Sequence, residues 1–302
     1  MLFSYPKIIE PLLADKIQNF VSIKIPISYF MQLIKSLEGS GSFCPMIKIT
    51  FLGTGTSTGV PVVGCKCATC ISEDPRNRRL RSSVHLEIGN KSLIIDSGPD
   101  FRYQVLRAGI QRLDGIMLTH SHADHLHGLD DVRMFNYHQK DPIDFFLHES
   151  EVAEVKRKFN YIFNPEQIGG GIPQIKLQPF KEEFSLYGIP VKRIELRHGI
   201  IKNSGYRIGN FAYTVDTNGI DRSELDKLRG LDVLVITGLK YEKHPTHFSI
   251  PESLEIIKEI KPKKTYFSHI THTVEHGGLV DYLRDTPDVE PAFDGMQIEV
   301  KL

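Results

Sequence analysis

No stretch of this 302-residue chain runs to about 18 apolar residues free of charge, so no segment reads as a membrane-spanning helix. Net charge is absent as well: 37 Lys and Arg balance 37 Asp and Glu, against a broad nucleic-acid footprint but not against local basic patches. Repeats at solenoid spacing and low-complexity tracts are missing. The N-terminus lacks the charged-then-apolar pattern and small-residue cleavage site of a signal peptide. Cysteine is scarce, at four residues, yet three of them lie in Cys65-Lys66-Cys67-Ala68-Thr69-Cys70. Thiols that close cannot all form relaxed disulfides, and they fit a reducing cytoplasm. They suit structural Zn²⁺ in a closed site that needs one more ligand.

Histidine is plentiful, at 13 residues, and its placement carries the chemistry. The apolar run Gly115–Thr119 reads as a buried strand that delivers His120 to its carboxyl end. The loop Thr119-His120-Ser121-His122-Ala123-Asp124-His125 then gathers three imidazoles and a carboxylate. Neutral imidazole and carboxylate suit Zn, Mn or Fe(II). Four such groups exceed what one open tetrahedral site needs. The simplest geometry sends His120 and His122 to one ion, and Asp124 and His125 to a second. Two ions a few ångströms apart activate water and clamp the oxygens of a displacement reaction. An adventitious His-rich tract predicts no further ligands downstream. Here His198, Asp216 and His269 each follow a β-prone run, so strand ends on one sheet edge are expected to converge on the loop. The fourth ligand expected for the cysteine cluster is His272. The segment His269-Ile270-Thr271-His272 then places one His in each kind of site.

The order HxHxDH followed by His, Asp and His resembles the metallo-β-lactamase superfamily, over residues 46–302. The resemblance implies a first metal on His120, His122 and His198, and a second on Asp124, His125 and His269, bridged by Asp216. It also implies that Asp96, in Leu93-Ile94-Ile95-Asp96-Ser97-Gly98, supports the ligands from behind. Together with the cysteine cluster, several stretches resemble the branch of phosphoribosyl 1,2-cyclic phosphate phosphodiesterases. They are Leu52-Gly53-Thr54-Gly55-Thr56-Ser57, Asp74-Pro75-Arg76-Asn77, Arg81-Ser82-Ser83, Ile95–Asp100, Gly128–Arg133 and Phe293-Asp294-Gly295-Met296. Quinone-cofactor biosynthesis proteins share a similar cysteine cluster, so that cluster alone does not fix the substrate.

The expected enzyme is therefore a metal-dependent phosphoric diester hydrolase with two active-site divalent ions, Zn or Mn, and one structural Zn. Its chemistry would be attack on a small cyclic phosphate ester by hydroxide held between the ions. Asp124 and Asp216 hold anionic charge there and accept the water's proton. His247 is the expected acid for the leaving oxygen. It precedes Ser249-Ile250-Pro251-Glu252, a capping box opening a helix whose N-terminus favours phosphate. His244 reads as a surface or supporting residue. Arg76, Arg78, Arg79 and Arg81 form the densest basic run, readable either as a phosphate contact or as a solvated face. The alternatives are an RNA-processing endonuclease resembling tRNase Z, and a cofactor-biosynthesis oxidase-like protein on the same fold. The first normally needs a basic protruding arm, and the nearest segment, Gln167–Pro173, is short and not basic. The expected partner is a small phosphodiester; a homodimer stays open, and membrane or nucleic-acid partners are not expected.

The fold class expected is α/β, an αββα sandwich of two mixed sheets flanked by helices. Strands are expected at Ile47–Leu52, Ser83–Ile88, Lys91–Ile95, Gly115–Thr119, Phe145–Leu147, Val191–Leu196, Ala212–Val215, Val233–Ile236, Thr265–Phe267 and Met296–Val300. Helices are expected near Phe101–Ala108, Ser150–Phe159, Asp221–Leu228, Pro251–Ile260 and Gly278–Arg284. Residues 1–45 stand apart as an extension, either accessory and flexible or not translated if synthesis starts at Met46, with Gly39-Ser40-Gly41-Ser42 reading as a linker before a hydrolase domain at 46–302.

Overall fold

The computed structural model describes residues 46–166 and 171–302. The expected extension 1–45 with its linker, and most of the Gln167–Pro173 segment, lie outside the described residues. Fifteen strands are described: β1 (Met46–Gly53), β2 (Ser83–Ile88), β3 (Lys91–Ile95), β4 (Gly115–Met117), β5 (Ile143–His148), β6 (Ile175–Phe180), β7 (Glu183–Leu186), β8 (Ile189–His198), β9 (Ile201–Ile208), β10 (Phe211–Thr214), β11 (Gly219–Ile220), β12 (Val233–Thr237), β13 (Lys264–Ser268), β14 (Val289–Pro291) and β15 (Gln297–Lys301). They form two sheets, ordered β15-β1-β2-β3-β4-β5-β6 and β11-β8-β9-β10-β12-β13-β14, with β7 paired to β8. Each sheet is antiparallel at one end and parallel at the other. β1–β3 and β8–β10 pair antiparallel; β3–β6 and β10, β12, β13 and β14 pair parallel.

Side-chain alternation builds three cores from these sheets. Along β12, Val233 and Val235 enter the core between the sheets, while Leu234 and Ile236 enter an outer core. β3 does the same with Leu93 and Ile95 inward and Ile94 outward. Strands apolar on both faces must be covered on both faces. Helices supply the outer cover: α1 (Ala68–Ile71), α2 (Phe101–Ala108), α3 (Ala123–Leu126), α4 (Arg133–Gln139), α5 (Val152–Lys158), α6 (Asn160–Phe163), α7 (Arg222–Asp226), α8 (Ile250–Ile260) and α9 (His276–Tyr282). Phe101, Val105, Phe135 and Val155 cap the first sheet, and Leu225, Ile250, Ile260 and Leu279 the second. The αββα sandwich is the fold of this chain.

The expected helix near Pro251–Ile260 is α8. Ser249 caps it and Glu252 closes a capping box, so its first N–H groups are partly satisfied.

Candidate metal centre

Five strand ends meet at one end of the sandwich. Asp96 follows β3, His120 lies three residues past β4, His198 closes β8, Asp216 lies two past β10, and His269 follows β13. The expectation of a single sheet edge is corrected here: β3 and β4 belong to one sheet, and β8, β10 and β13 to the other. Stacking the two sheets with their parallel strand ends aligned is what lets both contribute. Asp96, Asp216 and His269 also share left-handed backbone, with φ of 65°, 62° and 60°. Non-glycine residues in that region are costly, and such strain clusters at functional sites.

The structure brings His120, His122, His198 and Asp216 into one group with donor atoms within 4.8 Å of one another, and His125, Asp216 and His269 into another. Asp216 belongs to both. Its Oδ2 lies 3.3 Å from His120 Nε2 and 3.0 Å from His125 Nε2; its Oδ1 lies 3.4 Å from His198 Nδ1 and 3.5 Å from His269 Nε2. Asp124 joins beside His125, with Oδ2 3.1 Å from His125 Nε2. Two ligands bonded to a common tetrahedral ion at the usual lengths stand about 3.4 Å apart, close to the edges from Asp216 to His120, His125 and His269. Buried His120 Nε2, His125 Nε2 and Asp216 Oδ1 have no well-aligned hydrogen-bond partner. Buried polar atoms normally have one. A divalent cation is the species that this donor set fits.

Supporting contacts fix which nitrogen each imidazole presents. Ser82 Oγ donates to Gly55 O at 2.9 Å, so at 3.1 Å it accepts from His269 Nδ1–H, leaving Nε2 free as a lone pair. His198 Nδ1–H donates to Thr246 O at 2.9 Å. His125 Nδ1–H meets Asp96 Oδ2 at 2.6 Å, and Asp96 also accepts from Thr119 N and Oγ1. Thr119 Oγ1 in turn receives His120 Nδ1–H at 3.1 Å. Such partners orient ligands and raise their basicity. Asp96 sits where its motif implies. Ser82, Thr119 and the Thr246 carbonyl were not singled out in the sequence, because a hydroxyl or carbonyl carries no pattern by itself. Burial drives His120 well below the usual imidazole range, with His125 adding to it, and lowers His269 to about 4. Both are neutral near pH 7, the form that ligates. Burial raises the Asp124 carboxyl, but His125 and its hydrogen bond outweigh that and hold it below the carboxylate range.

The turn after β3 crosses the metal loop at backbone contact. A Cβ on Gly98 would stand 1.9 Å from Asp124 O, and one on Gly128 would stand 2.0 Å from Gly98 O. Ser97 N donates to His125 O, and Gly128 N to Ser97 O, both at 2.8 Å. The Asp96-Ser97-Gly98 and Gly128-Leu129 motifs are therefore two halves of one crossing.

A separate cluster joins Cys65, Cys67, Cys70 and His272. His272 Nδ1 lies 3.3, 3.4 and 3.6 Å from the three sulfurs. The S–N edge of a tetrahedral zinc site, from bond lengths of about 2.3 and 2.05 Å, is about 3.5 Å. The backbone of Cys70 and the His272 ring lower the Cys67 thiol to about 6, favouring thiolate.

His247 stands over the double group. Its Nε2 is 2.5 Å from Asp216 Oδ1, and its Nδ1 is 2.8 Å from Thr246 Oγ1 and 3.0 Å from His244 Nδ1. Thr246 N points at His244 Nδ1, 3.4 Å away, which makes that nitrogen an acceptor. His244 is thus a partner of His247. The arginine run is not available to a ligand as read. Arg76 pairs with Asp74 and Arg81 with Asp100, while Arg79 is buried against Thr54, Ala292 and His276. Arg78 remains exposed.

Comparison with known proteins agrees with this geometry. A family profile described as "Beta-lactamase superfamily domain" matches residues 91–270. An octanoyltransferase of Porphyromonas gingivalis is 33% identical over 256 residues, covering 83% of this chain and 51% of that protein. A ribonuclease Z of Archaeoglobus fulgidus is 28% identical over 168 residues, covering 54% and 48%. The chain spans about half the length of these curated relatives. A crystal structure of a diphosphatase from the PhnP family superposes with a TM-score of 0.78 at 38% identity, over 85% of this chain and 98% of that one. By profile, fold and donor set, the chain belongs to the beta-lactamase superfamily and has the metallo-β-lactamase fold.

Proposed function

We propose that this chain is a metal-dependent hydrolase, a phosphodiesterase that opens a small cyclic phosphate ester, phosphoribosyl 1,2-cyclic phosphate-like. The observation that carries the reading is His247, an imidazole whose nitrogens face Asp216 on one side and His244 on the other, placed against the carboxylate shared by both donor groups. Oriented by Asp216 and His244, His247 would be the proton donor to a leaving alkoxide. Divalent ions bound by the two groups, Zn or Mn, supply Lewis acidity for water activation and offset phosphoryl charge. Asp216 would hold both groups together, and Asp124 would complete the second with His125 and His269. Both carboxylates hold negative charge at neutral pH and orient the attacking water. Burial keeps His120, His125 and His269 away from competing hydrogen bonds. α8 begins three residues past His247, and the positive end of its dipole favours a phosphate. The diphosphatase neighbour at 38% identity supports chemistry at a phosphate centre.

RNA processing is the second reading, favoured by the ribonuclease Z relatives. Against it, three of the four arginines in the densest basic run are already paired or buried. A substrate panel on metal-reconstituted protein tests the choice: an aryl phosphodiester, ribosyl cyclic phosphates, 2′,3′-cyclic nucleotides, a tRNA precursor and a lactam. The highest kcat/KM is expected on a ribosyl cyclic phosphate. Preferred, salt-sensitive cleavage of the tRNA precursor would overturn the reading, as would oxygen uptake in place of hydrolysis.

A further inference from the structure

We propose that Glu151 and Lys158, at the two ends of α5, are positioning residues for the metal loop, and that they orient His122 by fixing the peptide groups on either side of Ser121. The inference concerns how the first donor group is held, and it does not depend on which ester the enzyme cleaves.

Four imidazoles of the double centre are oriented by a ring hydrogen bond: His120 to Thr119, His125 to Asp96, His198 to Thr246 and His269 to Ser82. His122 differs. Its ring packs edge-on against those of His120 and His198 and, among the described residues, makes no hydrogen bond. It is also the exposed member of its group. A solvent-facing imidazole on an unrestrained loop would lose backbone and rotamer freedom each time it took an ion, and that loss weakens binding.

The backbone supplies the restraint. Ser121 lies between His120 and His122, and both of its backbone groups are held from one helix. Its N–H, in the His120–Ser121 peptide, donates to Glu151 Oε2 at 3.0 Å. Its carbonyl, in the Ser121–His122 peptide, accepts from Lys158 Nζ. His122 O accepts from His125 N at 3.1 Å. The planar peptides on both sides of His122 are therefore fixed, and its Cβ is aimed. Each clamp bond joins an ionised side chain to a neutral backbone group, the stronger class of hydrogen bond. Glu151 and Lys158 stand two helical turns apart and so share a face. The helix itself is anchored, because Val155 packs with Phe159 and Ile162 in the outer core of the first sheet. Phe159 also meets the His127 ring edge-on at 6.0 Å, and Tyr161 Oη donates to Asp130 Oδ1 at 2.7 Å. One segment, 151–161, thus grips the metal loop at Ser121, His127 and Asp130. Glu151 and Lys158 lie outside both donor groups, so they act through the loop and not on an ion.

Withdrawing Co²⁺ from the loaded full chain with a chelator tests this, because thiolate-bound and imidazole-bound Co²⁺ absorb at different wavelengths. Glu151→Ala and Lys158→Met are each expected to weaken Co²⁺ at the histidine centre about 10–100-fold, the range for lost outer partners of metal ligands. The thiolate band of the cysteine cluster should be withdrawn as in wild type. Glu151→Gln and Lys158→Arg keep an acceptor and a donor, and should stay within about threefold of wild type. In a His122→Ala background, Glu151→Ala should add less than about threefold, since residues that act through one another are not additive. Unchanged affinity at the histidine centre of Glu151→Ala overturns the proposal, as do equal losses at both kinds of site. It is overturned too by Gln and Arg variants as weak as Ala and Met, by losses fully additive with His122→Ala, or by a wild type that takes up no Co²⁺ at its histidines.

Discussion

At the scale of single residues, Asp216 carries the most. It faces five imidazoles within 3.5 Å and belongs to both donor groups. Asp216→Ala is expected to abolish most diesterase activity and to lower metal content below that of wild type. Elemental analysis showing full loading together with near-normal turnover would remove the bridging assignment. His247 behaves differently, because it is proposed as a proton donor and not as a ligand. His247→Ala should keep its metals while turnover falls about 10²–10⁴-fold. The loss should shrink for an ester with an acidic leaving group; an equal loss across leaving groups would point to positioning instead. Much of this site was legible in the sequence because imidazole and carboxylate at fixed spacing have few other uses. What was not legible is the layer behind it. Asn203 lies in β9 as a buried polar residue and donates to Val215 O and Asp216 O at 3.1 and 2.8 Å, which shapes the Asp216 turn. In sequence, Lys202-Asn203-Ser204-Gly205 looks like a loop.

At the scale of elements, that same stretch explains a missed strand. β9 buries Asn203, Ser204 and Gly205 between β8 and β10, and a Cβ on Gly205 would stand 3.0 Å from Tyr213 O. Close packing and backbone satisfaction replaced hydrophobic alternation there, so periodicity had nothing to register. β2, β3 and α2, by contrast, span the ranges read from their patterns. Short α3 and α4 went unread, being too brief for a 3.6-residue period to declare itself. The cysteine turn is the element with its own test. Cys67→Ser should lower metal content by about one ion per chain and the melting temperature by at least about 5 °C. Unchanged melting and metal count would return the thiols to a reduced, unligated state. The start of α9 offers a second. Burial, reinforced by Arg79, lowers His276 from 6.5 to about 4. Between those values the unfolded chain takes up a proton that the folded chain resists, so stability present above about pH 6.5 is lost as pH falls toward 4. His276→Gln should flatten that slope by about 1–3 kcal/mol relative to wild type. Parallel slopes in denaturant titrations at pH 7, 5.5 and 4 would refute the assignment.

At the scale of the whole molecule, the two sheets hold a common core, and the fold is closed by β15 pairing with β1. Among the described residues, no helix is long and apolar enough to cross a membrane. The PhnP-family structure is matched over 98% of its length by 85% of this chain, so that fold is complete without a counterpart to the rest. A chain beginning at Met46 is therefore expected to fold, to bind the same number of metal ions as the full chain and to retain its turnover within about threefold. Loss of solubility or of metal in that truncated chain would show that residues 1–45 belong to the catalytic unit. The sequence leads us to expect this division by composition, through the Gly39–Ser42 run, and β1 begins at Met46.

The Cys70–His272 contact spans 202 positions of chain. At roughly 5–20 residues per second, ribosomal synthesis of that interval takes about 10–40 s. During that time the three thiols are already made, while the fourth donor does not yet exist. His269 arrives equally late, whereas His120, His122, His198 and Asp216 are all made by position 216. A nascent chain halted before residue 269 therefore holds His120, His122, His198 and Asp216 but neither His269 nor the fourth donor of the cysteine cluster, and its thiols stand open to oxidation or to the wrong ion.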